Sequence, residues 1–261
     1  MSAGVAPRRP VALGARPRRL LAASGLAAAV LACLPDLFGI GSGSEVAQTL
    51  WFALAALVAP ALLVLGAPWT ALTPGGSSVP PWLERLARAR AASPGVRRSA
   101  GFLLVDLVVI VAWRMPALVD AVARHPVLVL AETGTLVLAG IGLWLELVDS
   151  PPLVARSSRP RRAVLAALAM WTVWTVAYLE GMSSTGWYHV FHHVAGSGLS
   201  AAADRQVSAV ILWALAAAVF MPVVFWNLAQ WLRTEADADN VARPFSAGSP
   251  RRALGAAEAS R

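Results

Sequence analysis

The sequence contains no lysine, a single cysteine and few charged residues of any kind. The one cysteine, Cys33, excludes an internal disulfide, and we expect it to be a small buried hydrophobe, with a thiol metal ligand as the alternative. Charged residues make up only 14% of the 261 residues, whereas hydrophobic residues make up 57%. This imbalance leaves little chain for a soluble domain and favours membrane spans.

Six apolar runs are long enough to span a membrane, since a spanning helix needs about 20 mainly apolar residues. They cover residues 20–39, 46–66, 101–121, 126–148, 163–183 and 206–232. The sequence therefore predicts an all-α fold, a polytopic membrane helix bundle with six transmembrane helices in one domain, residues 20–233. The flanking segments, residues 1–19 and 234–261, lack apolar periodicity and are predicted to be disordered tails.

The basic residues are all arginine, and their positions predict the orientation of the bundle. Nineteen of the 22 lie before the first span, at 85–98, at 156–162 or after the last span. Arginine concentrates in the cytoplasmic segments of membrane proteins, so both termini and these connections are predicted to be cytoplasmic. The net charge of +8 then follows from topology and indicates no nucleic-acid partner. A basic amphipathic piece with Trp82, Leu83 and Leu86 on one side is expected to lie along the inner membrane surface.

The N-terminal stretch has a second interpretation, because a basic segment followed by an apolar one is typical of a signal peptide. The letters "VLAC" resemble a lipoprotein cleavage site. However, Val30 stands where leucine is usual, and Leu31 stands where a smaller residue is usual. We therefore expect an uncleaved first span.

Polar residues within the spans collect at one depth, in the half that this topology places outside. They are Glu45, Gln48, Thr49, Trp113, Arg114, Glu132, Thr133 and Asp204. A charge near mid-bilayer costs about 2.5–3.5 kcal/mol, so Glu132, in the apolar run "HPVLVLAETGTLVLAG", needs a partner or water. Arg114, at comparable depth on the preceding span, is the expected partner. The group is either a salt bridge that locks the helices together or a polar site open to the extracytoplasmic face.

A histidine cluster lies in the last outer connection, in the stretch "GWYHVFHH". Its members His189, His192 and His193 have the spacing i, i+3 and i+4, which converges if the segment is helical. Imidazoles in such a group bind copper or zinc. The alternative is that they are solvated histidines at the membrane interface.

Four short motifs resemble those of the polytopic CtaG-type family of bacterial cytochrome c oxidase assembly proteins, over about residues 44–233. Members carry H-x-x-Q-H, W-H-x-P, H-x-x-E-H and D-Q-x-x-G with a nearby Trp, in successive spans. This chain has "EVAQT", "WRMP", "VLAET" and "DRQVSAVILW" in the same order. The runs "APALLVLGAP" and "GIGLW" also fit the family scaffold.

The departures from the family pattern fall on its histidines. Glu45, Thr49, Arg114, Val129 and Thr133 stand in the places of five family histidines. The residues that match the pattern are Gln48, Trp113, Pro116, Glu132 and Asp204. A copper site needs imidazole or sulfur ligands, so the inherited site is expected to be inactive toward copper.

The resemblance implies an integral protein of the bacterial plasma membrane that assists the assembly of a haem–copper oxidase. The expected partners are lipid and, as the resemblance implies, oxidase subunits or other assembly factors. We expect a scaffold whose ancestral copper site is lost. The alternative is a copper-handling or transport protein that uses His189, His192 and His193. No nucleophile–base pair, phosphate loop or hydrolase motif is present, so no enzyme is predicted.

Overall fold

The structure is a computed structural model that describes residues 15–38, 44–72, 80–92, 95–183, 188–191 and 200–246. The described residues form nine α-helices and no strand. The helices are α1 (Ala15–Leu37), α2 (Glu45–Ala53), α3 (Ala59–Gly66), α4 (Pro81–Ala92), α5 (Gly95–Trp113), α6 (Pro116–Arg124), α7 (Leu128–Leu147), α8 (Arg159–Met182) and α9 (Ala201–Ser246). The predicted all-α bundle is confirmed.

Five stretches of the described chain are long and apolar enough to cross a membrane. They are Arg16–Leu37, Glu45–Thr70, Leu128–Leu147, Arg159–Met182 and Ala201–Asp237. The pair α5 and α6, which meet at an angle of 63°, is long and apolar enough only when taken together and makes a sixth candidate if it is one broken span.

The predicted continuous span 101–121 is wrong in its second half, because α5 ends at Trp113 and α6 turns away. Pro116 explains the break. Proline disfavours the helical conformation of the residue before it, and Met115 is accordingly extended, with φ −71° and ψ 137°. The break places Arg114 at the corner between the two helices, where its side chain enters the bundle.

The second span is a composite of α2, a π-helical turn at Leu54–Val58 and α3. Pro60 lies in the first turn of α3 and has no N–H to give to the preceding turn. The wider turn accommodates this loss within a continuous span. The turn also sets the rotation of α2, which carries Glu45, Gln48 and Thr49.

Small residues bring the helices into close contact. Any Cβ on Gly66 of α3 would lie 2.4 Å from the backbone nitrogen of Ala22 in α1. One on Gly140 of α7 would lie 2.6 Å from the Pro60 ring. Small residues at such crossings are a usual device of membrane helix packing. At the centre, Trp144 stacks on Phe220 with ring centroids 5.7 Å apart, which joins α7 to α9.

The last helix is longer than the sequence predicted. The sequence predicts that a disordered tail starts at residue 234, whereas α9 continues to Ser246. The stretch "RTEADADNVAR" is polar but rich in alanine, and polar composition alone does not end a helix. Trp231 donates its Nε1 hydrogen to Glu235 across one turn, at 3.1 Å, and supports the extension.

Candidate functional site

The polar end of the bundle, defined by Glu45, Arg114, Glu180 and Asp204, is organised around one buried guanidinium. Arg114 is only 2% exposed. Its Nε donates to Glu180 Oε1 at 2.7 Å and its Nη2 to Glu180 Oε2 at 2.5 Å, a two-point fork. Its Nη1 donates to Gln48 Oε1 at 2.7 Å, and Nη2 also reaches Thr49 Oγ1 at 3.2 Å. The side chain thereby ties α5 to α2 and α8.

The predicted salt bridge between Arg114 and Glu132 is wrong. The ion-pair partner is Glu180, near the end of α8. The cause is geometric, because α5 packs against both α7 and α8, and Arg114 points toward α8. A signal was present in the sequence, since Glu180 is the one acid between residues 163 and 183 and lies at the same depth.

Tyr188 closes the site from the connection between α8 and α9. Its hydroxyl lies 2.6 Å from Glu180 Oε1, to which it donates, and 3.2 Å from the Arg114 carbonyl oxygen. The Arg114 guanidinium lies 5.0 Å from the ring centre of Phe52 and 5.4 Å from that of Tyr188, within cation–π range. Burial raises the pKa of the Tyr188 phenol, so the hydroxyl keeps the proton that it donates.

Asp204 connects the start of α9 to the start of α2. Its Oδ2 accepts from the Glu45 backbone N–H at 2.8 Å, and its Oδ1 accepts from Ser44 Oγ at 3.0 Å. A carboxylate at a helix N-terminus is stabilised by the unpaired N–H groups there. One turn further along, the hydroxyl oxygens of Thr49 and Ser208 lie 2.5 Å apart.

Glu45 is attracted by two basic residues, Arg114 and Arg205. Its Oε2 is 4.0 Å from Arg205 Nε, a loose ion pair. Its Oε1 has no hydrogen-bond partner among the described residues. Arg205 also donates through Nη1 to the Ser183 carbonyl at 2.5 Å, which joins α9 to the end of α8.

Glu132 occupies a separate small cavity beside this network. The residues that line it include Asp36, Gln48, Val129, Glu132 and Thr133. Glu132 is 5% exposed, and no hydrogen bond joins its carboxylate to any residue that the structure describes. The α7 motif residues therefore share the cavity with Gln48, but they take no part in the Arg114 ion pair. Gln48 is the link, since its amide oxygen accepts from Arg114.

Trp113 makes a contact with α7 and not with the ion pair. Its Nε1 donates to Thr135 Oγ1 of α7 at 2.9 Å. This hydrogen bond joins the end of α5, next to Arg114, to α7.

The histidine cluster is described in part. The His189 side chain is 81% exposed, and its Nδ1 lies 3.1 Å from Asp120 Oδ2 in the middle of α6. His192 and His193 lie outside the described residues, so their convergence with His189 stays a prediction. Within the described ranges, no three His, Cys, Asp or Glu side chains are grouped as metal ligands would be.

The donors at the polar end do not fit copper. They are carboxylate, amide and hydroxyl oxygens, with a guanidinium among them, whereas copper sites in proteins rely on imidazole and sulfur. A guanidinium has no free lone pair and repels a cation. The arrangement is suited to holding helices together and to presenting hydrogen-bonding groups.

A comparison with known proteins found a family whose model matches the chain. The family model of the cytochrome c oxidase caa3 assembly factor matches residues 3–234. The chain matched none of the curated proteins and none of the solved structures with which it was compared. The match covers most of the 261 residues and includes every motif position described above. This chain belongs to the cytochrome c oxidase caa3 assembly factor family.

Proposed function

We propose that this chain acts in oxidase assembly as a scaffold in the bacterial plasma membrane, with both termini cytoplasmic, and carries no copper at its polar end. The observation that supports this most directly is the buried ion pair between Arg114 and Glu180. The guanidinium stands at a family histidine position and is held by groups from α2 and α8.

Electrostatics support the same conclusion. A copper ion near Gln48 would lie beside a buried positive charge in a medium of low dielectric constant, where repulsion is strong. The nearby carboxylate of Glu180 is already engaged by two guanidinium nitrogens and the Tyr188 hydroxyl. Opening this site for a metal would therefore break several buried hydrogen bonds at once.

The scaffold role depends on what the polar end can offer a partner. The loop residues of this end carry an exposed imidazole at His189, next to Asp120 of α6. We propose that a subunit of a haem–copper oxidase or another assembly factor docks there. The ion pair keeps α5, α2 and α8 in the arrangement that docking requires.

Copper binding by the purified full chain tests the proposal. In detergent, with a Cu(I) chelator as competitor, the natural sequence should retain no copper. A variant that restores the family histidines should gain it, with Arg114→His alone as the matched control. The restoring changes are Glu45→His, Thr49→His, Arg114→His, Val129→His and Thr133→His.

Stoichiometric copper on the natural sequence would contradict the proposal. Copper lost after His189→Ala, His192→Ala and His193→Ala together would identify the cluster as a metal site and support a copper-handling protein instead. In cells that lack the natural gene, this triple variant should restore oxidase activity only in part, because His189 lies on the proposed docking surface. Full restoration would speak against docking at His189.

A further inference from the structure

The end of the bundle opposite the polar end, here called the arginine-rich end, contains a second buried ionic cluster. Glu146, at the end of α7, is fully buried. Its carboxylate accepts from Arg90 Nη2 at 2.7 Å, from Arg98 Nε at 2.9 Å and from Ser99 Oγ at 2.8 Å. Because two guanidinium groups share one carboxylate, the cluster keeps a net positive charge.

Arg90 anchors the amphipathic helix α4 to this cluster. Besides Glu146, its Nη2 reaches the Leu145 carbonyl at 3.0 Å, and Arg98 donates to the Arg90 carbonyl. The Nε of Arg90 is buried and has no hydrogen-bond partner among the described residues. Burial lowers the pKa of the Arg90 guanidinium, and the attraction of Glu146 opposes that shift. An anion nearby would relieve this cost.

A cavity of about 260 Å³ lies between α4 and the segment 152–156. Arg88, Arg90 and Arg156 line it together with apolar side chains, and no acid is among the described lining residues. The surrounding sequence has the same bias. Residues 81–98 and 146–162 contain nine arginines but only three acids. The cavity therefore has the charge of an anion site.

Apolar side chains beside the cavity indicate where its ligand comes from. Trp82 and Leu86 of α4 and Val154 of the facing segment are exposed. The cavity lies at the level where the membrane spans α5, α7 and α8 begin or end. A ligand that combines a phosphate with acyl chains would cover both the arginines and these apolar side chains.

We propose that this cavity binds the phosphate of an anionic phospholipid headgroup. The arginines supply the charge and the hydrogen-bond donors that phosphate prefers. Basic pockets between membrane helices are a recurrent form of headgroup site. Bound lipid would stabilise the packing of α4 against the ends of α5 and α7.

A lipid titration of the full chain in nonionic detergent tests the site. The ligands are short-chain phosphatidylglycerol, short-chain phosphatidylcholine and inorganic phosphate, and native mass spectrometry counts bound molecules. Arg88→Gln and Arg156→Gln should each raise the Kd for phosphatidylglycerol about fivefold, the effect expected for one arginine at an anionic lipid surface. Arg85→Gln is the matched control, because Arg85 is exposed on the same helix but does not line the cavity.

The side chains of Arg88 and Arg156 are exposed, so the variants should elute like the natural sequence, and their melting temperatures without lipid are measured beside the titration. Equal weakening by all three substitutions would mean diffuse surface charge and would overturn the proposal. Equal binding of phosphatidylcholine would overturn it as well. If inorganic phosphate binds by itself, and Arg88→Gln and Arg156→Gln weaken it equally, the ligand of the cavity is a soluble anion and the lipid proposal is overturned.

Discussion

Arg114 Nη2 and Glu180 Oε2 lie 2.5 Å apart, and both side chains are almost completely buried at the polar end of the bundle. The pair joins the broken end of α5 to the end of α8, two spans that are not consecutive in the sequence. Gln48 and Tyr188 complete the hydrogen bonds of the two charged groups. A buried pair with this many partners is specific in geometry, whatever its net contribution to stability.

Removal of one member of this pair should destabilise the protein strongly. We expect Glu180→Gln, Glu180→Met or Arg114→Met to lower the free energy of unfolding by about 3–5 kcal/mol, because the other charge is left buried and unpaired. The double variant Arg114→Met with Glu180→Met should recover much of the loss. Unfolding in mixed micelles measures this, with the exposed Arg124→Gln as the control. A double variant as unstable as the sum of the single ones would mean that the pair is not coupled.

Glu132→Gln should behave differently from Glu180→Gln. The Glu132 carboxylate has no hydrogen bond to a described residue and shares its cavity with Asp36. Replacement by the neutral amide removes a buried charge without breaking a pair, so stability should stay the same or rise. The same unfolding measurement decides the matter. A loss of stability as large as that of Glu180→Gln would mean that Glu132 is paired with Arg114, as the sequence alone predicted.

Tyr188→Phe should weaken the cap over the ion pair without unfolding the bundle. It removes one hydroxyl that donates to the Glu180 carboxylate, and hydrogen bonds to charged groups contribute about 1.5–3 kcal/mol. The ring stays near the Arg114 guanidinium, so the cation–π contact is kept. Tyr188→Leu, which removes both contacts, should cost more. Equal losses from the two substitutions would assign the whole contribution of Tyr188 to its hydroxyl, and no loss from Tyr188→Phe would assign it to the ring.

The orientation of the bundle remains a prediction from the arginine distribution. A reporter active only in the cytoplasm should be active when fused after Ser157 and silent when fused after Ser197. The first site lies at the arginine-rich end, and the second lies in the connection between α8 and α9. The opposite pattern would place the polar end in the cytoplasm and contradict the predicted topology with both termini cytoplasmic.

The sequence by itself determined the helical class, the approximate span positions and the depth of the polar residues. The hydrophobic runs locate the spans, and the helical rise of about 1.5 Å per residue gives the depth of each polar residue. Both can be obtained from one helix at a time, without knowledge of its neighbours. The motifs also indicate the family without any tertiary geometry, since their order and spacing are properties of the sequence.

Only the tertiary structure decided the partners. Arg114 and Glu132 share a depth and sit on consecutive spans, yet Arg114 pairs with Glu180. Pro116 breaks the predicted third span, and the π-helical turn beside Pro60 sets the rotation of α2. The pairing of Arg90 and Arg98 with Glu146 likewise joins segments about 50 residues apart. Packing among all the helices decides which face of each helix contacts its neighbours. The sequence of a single span does not determine this face.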